Sequence, residues 1–589
     1  MKEKWFVSAK KADFQAIGQR FGIDQVTARI IINRGITGEE AIAAYLSCSR
    51  QQLHDPHLLK DAEKGAAILA RKIREGKKIR IIGDYDIDGV NASYILTAGL
   101  RACGAPADPV IPDRVHDGYG INERIIAKAA EDGVDTILTC DNGISAYSEI
   151  EFAKRLGLTV IVTDHHEVPF TVSDTGEKAY RIPPADAVIN PKQEDCGYPY
   201  PGLCGAAVAW KFIQVLYEQM GIETERSFDM IAHVAFATVG DVMELTGENR
   251  TLVRLGLDAI RKTDNPGLLA LIRQNKLEQE KIKSWHFGFV LGPCINASGR
   301  LDTARRSLQL LLEPSLEQAS VLAKELVELN DRRKGLTLQG IEQARSIIEE
   351  QGIYKDSVMV VYLPQCHESL AGIIAGRIRE IYHKPVFVLT DAEDGGIKGS
   401  GRSIEAYSMY EEMSRCAPLM TKFGGHPMAA GLSMKRENAQ RFRQELNACA
   451  SLTEEDFIEK IHIDVPMPLS YISARLIREL ECLEPFGKGN EKPVFAVRDL
   501  HPVRANIVGR NKNVLKLSVE DGAGGLMDAV YFGDIDAFLE FLREKSSESA
   551  VKALMRGAPQ DIRFSVTYDP SIDAYMGRER VQIIIRHYC

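Results

Sequence analysis

The chain has 589 residues, 45% of them hydrophobic and 26% charged, with a formal net charge of −9. That composition excludes wholesale disorder, no apolar run approaches the roughly 18 residues of a membrane span, and the length predicts about three or four domains. The eleven cysteines are scattered with no C-x-x-C, which argues against a disulfide scaffold or a thiolate zinc site and for a reducing cytoplasm.

The N-terminus, Met1-Lys2-Glu3-Lys4-Trp5, has no apolar stretch behind its charges, so no secretory leader is expected. Residues 1–77 read as a mostly helical segment, with apolar residues at helical spacing over 61–73. Short β-branched runs follow at 79–82, 136–139, 158–163 and 187–189, separated by helical patterns such as 92–102. Strands alternating with helices predict βαβ units and a parallel sheet, in a domain spanning 78–310. Helices are predicted over 205–221 and 228–239. A long connecting helix spans 311–350, with Ser315 and Gln318 forming a capping box at its start. A second α/β domain is read over 351–460, from a strand at 358–362, a helix at 369–381 and a strand at 385–389. Over 461–589 short strands at 513–519, 528–532, 562–568 and 581–586 predict a small β-barrel resembling an OB-fold. Tyr531 and Phe532 suit base stacking there, but at least one should face the barrel core.

Net charge taken alone argues mildly against nucleic acid as a partner; local arrangement argues the other way. Three predicted strand ends carry acids or histidines: Gly83-Asp84-Tyr85-Asp86-Ile87-Asp88-Gly89, Cys140-Asp141-Asn142-Gly143 and Thr163-Asp164-His165-His166-Glu167. Gly240-Asp241 follows the apolar helix pattern at 233–239. The carboxyl ends of parallel strands face one crevice, so these residues should converge. A single Asp there is usually a cap or turn residue, and His165-His166 alone would be packing; the combination sets them apart. Crowded carboxylates repel one another unless cations neutralise them. Oxygen ligands with imidazole suit Mn²⁺ or Mg²⁺. Two such ions about 3.5–4 Å apart can activate a water, hold a phosphate and stabilise a leaving oxygen, which implies phosphodiester hydrolysis.

These three segments resemble the first three motifs of the DHH phosphoesterases, named for Asp164-His165-His166, and Ala237-Thr238-Val239-Gly240-Asp241 resembles the fourth. Gly424-Gly425-His426-Pro427-Met428-Ala429-Ala430-Gly431 resembles the glycine-rich signature of the DHHA1-type domain that follows. Three further segments bring the chain nearest to the RecJ branch of single-strand-specific DNA exonucleases, in order from Ile79 onward. They are Ile111-Pro112-Asp113-Arg114 with Gly118-Tyr119-Gly120, Asn296-Ala297-Ser298-Gly299-Arg300-Leu301, and Glu484-Pro485-Phe486-Gly487-Lys488-Gly489-Asn490. The resemblance implies metal ligands at Asp84, Asp86, Asp141, His165 and Asp241. It implies catalytic support or further ligation from Asp88 and His166, with Asp88 or Asp164 orienting a ligating histidine. Some relatives carry a histidine just before the first motif; Arg80-Ile81-Ile82 supplies none, so the metal set must close without it.

Arg114, Arg300 and Arg402 sit in glycine- or turn-rich settings from which a guanidinium can reach a phosphate. Gly399-Ser400-Gly401-Arg402-Ser403 and Gly424-Gly425-His426 expose backbone suited to anions. Each alone is an ordinary turn; the resemblance makes Ser400, Arg402 and His426 substrate contacts, together with Asn296, and Tyr119 offers a ring for stacking. The expected activity is metal-dependent hydrolysis of single-stranded DNA. Action from the 5′ end, release of mononucleotides and a place in recombination and repair are what the resemblance implies. Expected partners are single-stranded DNA, a single-strand-binding protein and a repair helicase, with no membrane. The alternatives are a DHH phosphoesterase of short oligonucleotides or cyclic dinucleotides, or a non-catalytic replication scaffold of the same architecture. The barrel, unnecessary for a small ligand, speaks against the first, and the full set of acids against the second.

Overall fold

Runs that are apolar on both faces form parallel strands covered by helices, and the first third of the chain does so. In this computed structural model, residues 3–114, 117, 120–173, 176–392, 395–509, 511–522, 524–575 and 578–589 are described. The strands are β1 (Ile79–Ile82), β2 (Ala107–Val110), β3 (Thr136–Cys140), β4 (Thr159–Thr163) and β5 (Ala187–Ile189). All pair in parallel, in the order β2–β1–β3–β4–β5. Strand β2, Ala-Asp-Pro-Val, carries no alternating or β-branched signal in the sequence. Its Pro109 is accommodated because β2 is an edge strand, where a missing N–H costs no ladder bond. Helices α1 (Ile87–Ala102), α2 (Gly205–Met220) and α3 (Ile231–Gly240) pack on this sheet through Leu96, Leu100, Trp210 and Phe212.

Helix α4 (Gly292–Leu301) leads towards α5 (Leu316–Glu350), which runs unbroken for 35 residues. Only half of the expected capping box forms: Ser315 Oγ accepts from Gln318 N–H at 3.4 Å, but the Ser315 N–H donates to Glu313 Oε1 at 2.9 Å, the nearer carboxylate taking the place of the Gln318 side chain. Gly340 does not break α5 but lets a neighbour in, since a Cβ there would lie 2.4 Å from Ile374 Cδ1. Ile374 belongs to α6 (Glu368–Tyr382), which covers a second sheet. That sheet holds β6 (Met359–Tyr362), β7 (Val386–Asp391), β8 (Ile397–Arg402), β9 (Met420–His426) and β10 (Ala429–Met434), ordered β9–β10–β8–β7–β6. Only β6 and β7 run parallel; β7–β8, β8–β10 and β9–β10 are antiparallel.

The chain divides into two units, Ser49–Glu459 as above and Met1–Cys48 with Lys460–Cys589. The expected 1–77 segment is thus shared. Helix Ala62–Arg74 packs on α2, while the short helices Phe14–Phe21, Gln25–Asn33 and Glu39–Ser47 bury Ile30, Ile31 and Ile42 in the core of the second unit. The physical reason is that their narrow apolar faces are satisfied by the barrel's own hydrophobic core. The barrel strands are β11 (Phe495–Val508), β12 (Val514–Glu520), β13 (Leu526–Tyr531), β14 (Phe564–Tyr575) and β15 (Arg578–Tyr588). Strand β11 pairs with both β12 and β14, which closes the sheet. The fold is the OB-like barrel expected, with two helices, Ile535–Lys545 and Glu548–Arg556, added between β13 and β14. Tyr531 is buried against Phe538 while Phe532 is exposed. Among the described residues no helix is long and apolar enough to cross a membrane.

Candidate active site

In a parallel sheet ordered β2–β1–β3–β4–β5 the connections leave β1 and β3 in opposite directions, and their carboxyl ends border an open crevice. Asp84, Asp86 and Asp88 follow β1, Asp141 follows β3, and Asp164, His165 and His166 follow β4. Asp241 arrives from the end of α3. The fold brings these together. His165 Nε2 lies 3.1 Å from Asp141 Oδ1, 3.5 Å from Asp88 Oδ2 and 3.8 Å from Asp241 Oδ2. Three sets of ligand atoms lie within 4.8 Å of one another: Asp84, Asp86 and Asp141; Asp141, His165 and His166; Asp88, His165 and Asp241.

Local backbone chemistry fixes each side chain. Asp86 caps α1, its Oδ1 accepting from the N–H groups of Asp88 and Gly89 at 2.9 and 3.1 Å. Asp88 is wholly buried and accepts from Gly205 and Ala206 N–H at 2.6 and 2.7 Å, so it anchors the start of α2. Asp164 accepts from the backbone of His165 and Ile144 and from His166 Nδ1 at 2.8 Å. It therefore holds the histidine pair. His165 Nδ1 faces Leu203 O at 3.1 Å, so that nitrogen carries the proton and Nε2 is left to ligate. Asp141 sits at φ 60°, a left-handed conformation that Asp tolerates. Asn142 ties the ends of β1 and β3 by donating to Ile82 O and Cys140 O.

The electrostatics call for cations. Burial, then Asp86, holds the Asp84 carboxyl well above the usual range. Burial, then Asp88, does the same for Asp141 and Asp241 and raises Asp86. Asp164 is the exception: burial is outweighed by His166, and its carboxyl stays low. Asp84 Oδ1 is buried and meets no hydrogen-bond donor among the described residues. Hard oxygens, an imidazole and an unsatisfied carboxylate fit Mn²⁺ or Mg²⁺.

Of the expected substrate residues, Arg114 and Ser400 line a cavity of about 470 Å³ between the two sheets of this unit; Asn296, Arg300, Arg402 and His426 are not among its lining residues. Arg114 lies over the Tyr85 ring at 4.7 Å, and both line the cavity with Ser400. Burial, then the charges of Arg114, Arg333 and Arg402, lowers the Arg300 guanidinium to about 10. Cations so gathered suit an anion. Arg300 Nη1 also donates to Ser369 O at 2.6 Å. Arg402 lies against α6, where a Cβ at Gly372 would fall 2.8 Å from its Nη2. His426 is exposed on β9 opposite Ala429. Asn296 is engaged otherwise, its Oδ1 accepting from Ile87 N–H at 2.8 Å at the start of α1. Tyr119 lies outside the described residues. The sequence did not single out Leu203, Lys398 or Lys422, which reach the site from a loop and from strands β8 and β9. Period-two alternation through Lys398-Ser400-Arg402 is the signal that could have placed the second of these.

Comparisons with known proteins bear on the fold and the family. Residues 78–238 match the DHH family N-terminal domain, 355–452 the DHHA1 domain and 463–587 the RecJ OB domain. The chain is 31% identical over 589 residues to a single-stranded-DNA-specific exonuclease RecJ of Bacillus subtilis, covering 99% of this chain and 70% of that protein. It is 31% identical over 566 residues to the protein of that description in Dickeya dadantii, covering 92% of each. Its structure resembles that of RecJ in complex with Mn²⁺ from Thermus thermophilus, with a TM-score of 0.82 and 26% identity over 100% of this chain and 80% of that one.

Proposed function

This chain belongs to the RecJ family of single-stranded-DNA-specific exonucleases, and on that premise we propose that it hydrolyses single-stranded DNA from the 5′ end, releasing mononucleotides in recombination and repair. The observation that carries the reading is the meeting of Asp84, Asp86, Asp141, His165 and Asp241 from four separate elements at one crevice. Those five residues hold the divalent pair in this reading. A manganese or magnesium pair supplies Lewis acidity toward the phosphate and a lowered pKa for water.

The chain's own groups do the rest. Leu203 O fixes the ring of His165 so that Nε2 points to the carboxylates, while Asp164 holds the His165 backbone N–H and the His166 ring. Asp88 holds α2 against the site. Arg114, Arg300 and Arg402 neutralise the phosphate, and Ser400 and His426 contact it. Water adds to phosphorus while the bond to the 3′ oxygen of the departing nucleotide breaks. In this reading 78–310 is the catalytic domain, 351–460 the substrate-binding domain, and 461–589 a platform for the trailing strand. A cytoplasmic location and partnership with a single-strand-binding protein and a repair helicase accord with the role.

The test is a digestion time course on single strands labelled at the 5′ or the 3′ terminus, with each metal. Labelled mononucleotide should appear at once from the 5′ label and last from the 3′ label. Release in the opposite order would overturn the polarity, and no release with either metal would overturn the activity. Asp141→Ala should lower the rate by several orders of magnitude, since each ion supplies several kcal/mol.

A further inference from the structure

Strands β8, β10 and β9 are in register so that one face carries three cross-strand rows. Arg402 pairs with Ala429 and that with His426; Ser400 with Gly431 and that with Gly424; Lys398 with Ser433 and that with Lys422. The opposite face of β8 is buried at Ile397, Gly399 and Gly401. The outward face is therefore a trough whose middle row is floored by two glycines. A Cβ at Gly424 would meet nothing within 4 Å, and one at Gly431 only Gly399 O at 4.0 Å. Among the described residues, no side chain packs against either position. One end of the trough carries Arg402 and His426; the other carries two lysines, both of which line the cavity beside Tyr85 and Arg114. At 3.3–3.4 Å per residue the two ends stand about 13 Å apart, more than one phosphate group spans.

We propose that Lys398 and Lys422 form a second phosphate clamp, holding the substrate strand one or more phosphates beyond the scissile position. This rests on the functional reading above and adds to it a dependence of affinity on strand length. The Lys398 ammonium is held meanwhile by Glu368 at 2.7 Å, on the first turn of α6. Incoming phosphate displaces Glu368, so that carboxylate competes with the strand for Lys398 and lowers the strand's affinity. Ser433, between the two lysines, offers a hydroxyl to the same oxygen atoms.

The experiment measures binding of a fluorescent oligonucleotide in EDTA, where no cleavage interferes, across a range of KCl concentrations. Each phosphate contact on a single strand contributes about −0.7 to the slope of log affinity against log salt. Replacing both lysines (Lys398→Gln with Lys422→Gln) should flatten the slope by about 1.4, and arginine at both positions should restore it. Glu368→Gln should tighten binding and leave the two lysines' contribution in place. Both lysines are partly or fully exposed, and a melting curve matching the parent's will show that the fold is kept. An unchanged slope in the glutamine variant overturns the clamp. A parent that binds with the steep slope yet cuts nothing when manganese is restored overturns the functional reading and leaves the clamp supported.

Discussion

Asp84 and Asp88, four residues apart, carry opposite duties. Asp84 is buried with an unpartnered oxygen and a carboxyl pushed well up by burial and by Asp86. Asp88 satisfies two amides at the start of α2. In chelator, Asp84→Asn should leave the urea midpoint equal or higher, because it removes a carboxyl whose ionisation burial and Asp86 oppose. Asp88→Ala should lower it, through a stability loss of about 2–5 kcal/mol, because two buried donors lose their acceptor. Both should abolish nuclease activity, and equal midpoints for the two variants would refute the division. His57 offers a pH test away from the site. Burial works against its charge, but hydrogen bonds to Glu63 and Glu218 prevail and raise its pKa above the ordinary 6.5. The folded state therefore favours the protonated ring. Its stabilisation is complete below pH 6.5 and is lost as pH rises through the folded value. The gap in melting temperature between the parent and His57→Gln should be widest in mild acid and close in mild alkali; thermal scans across that range check it.

At the scale of elements, glycines mark where backbones or substrate approach. A Cβ at Gly205 would lie 2.7 Å from Asp141 Cβ, so the start of α2 and the left-handed turn after β3 cannot both stay in place if it is enlarged. Gly205→Ala should displace Asp141 and cost on the order of a hundredfold in activity, as misplacing a catalytic group by about 1 Å does. A manganese activation curve should shift to higher concentration. Gly424 is the reverse case, where an added Cβ would meet nothing within 4 Å among the described residues and would point into the trough. Gly424→Ala should melt like the parent yet raise KM for a single strand. A drop in melting temperature would instead show that the glycine serves the sheet.

At the scale of the whole molecule, the clusters of metal-type ligands found among the described residues all lie within the Ser49–Glu459 unit. Saturating manganese should slow hydrogen exchange around β1, β3, β4 and α3 and leave β11–β15 unchanged. At a hundred times the dissociation constant a single site adds about 2.7 kcal/mol. Protection spread evenly over both units would refute that localisation. Residue order alone determined much of this protein. The β-branched runs, the acids at their ends, the long capped helix and the late short strands are local patterns of period and cap, legible without coordinates. Strand β2 and the segment Ala429–Met434 were not legible, and residues 399–403 and 424–426, which read as loops, lie largely in strands β8 and β9, because an edge strand with proline and glycine-rich strands carry no apolar alternation. Nor could a one-dimensional pattern show that Asp88 caps a helix beginning at Gly205, that Leu203 O sets the tautomer of His165, or that residues before Cys48 pack in the barrel's core. Those are contacts between groups distant in the chain, fixed by parallel crossovers and by the closure of a sheet, and only the tertiary structure decided them.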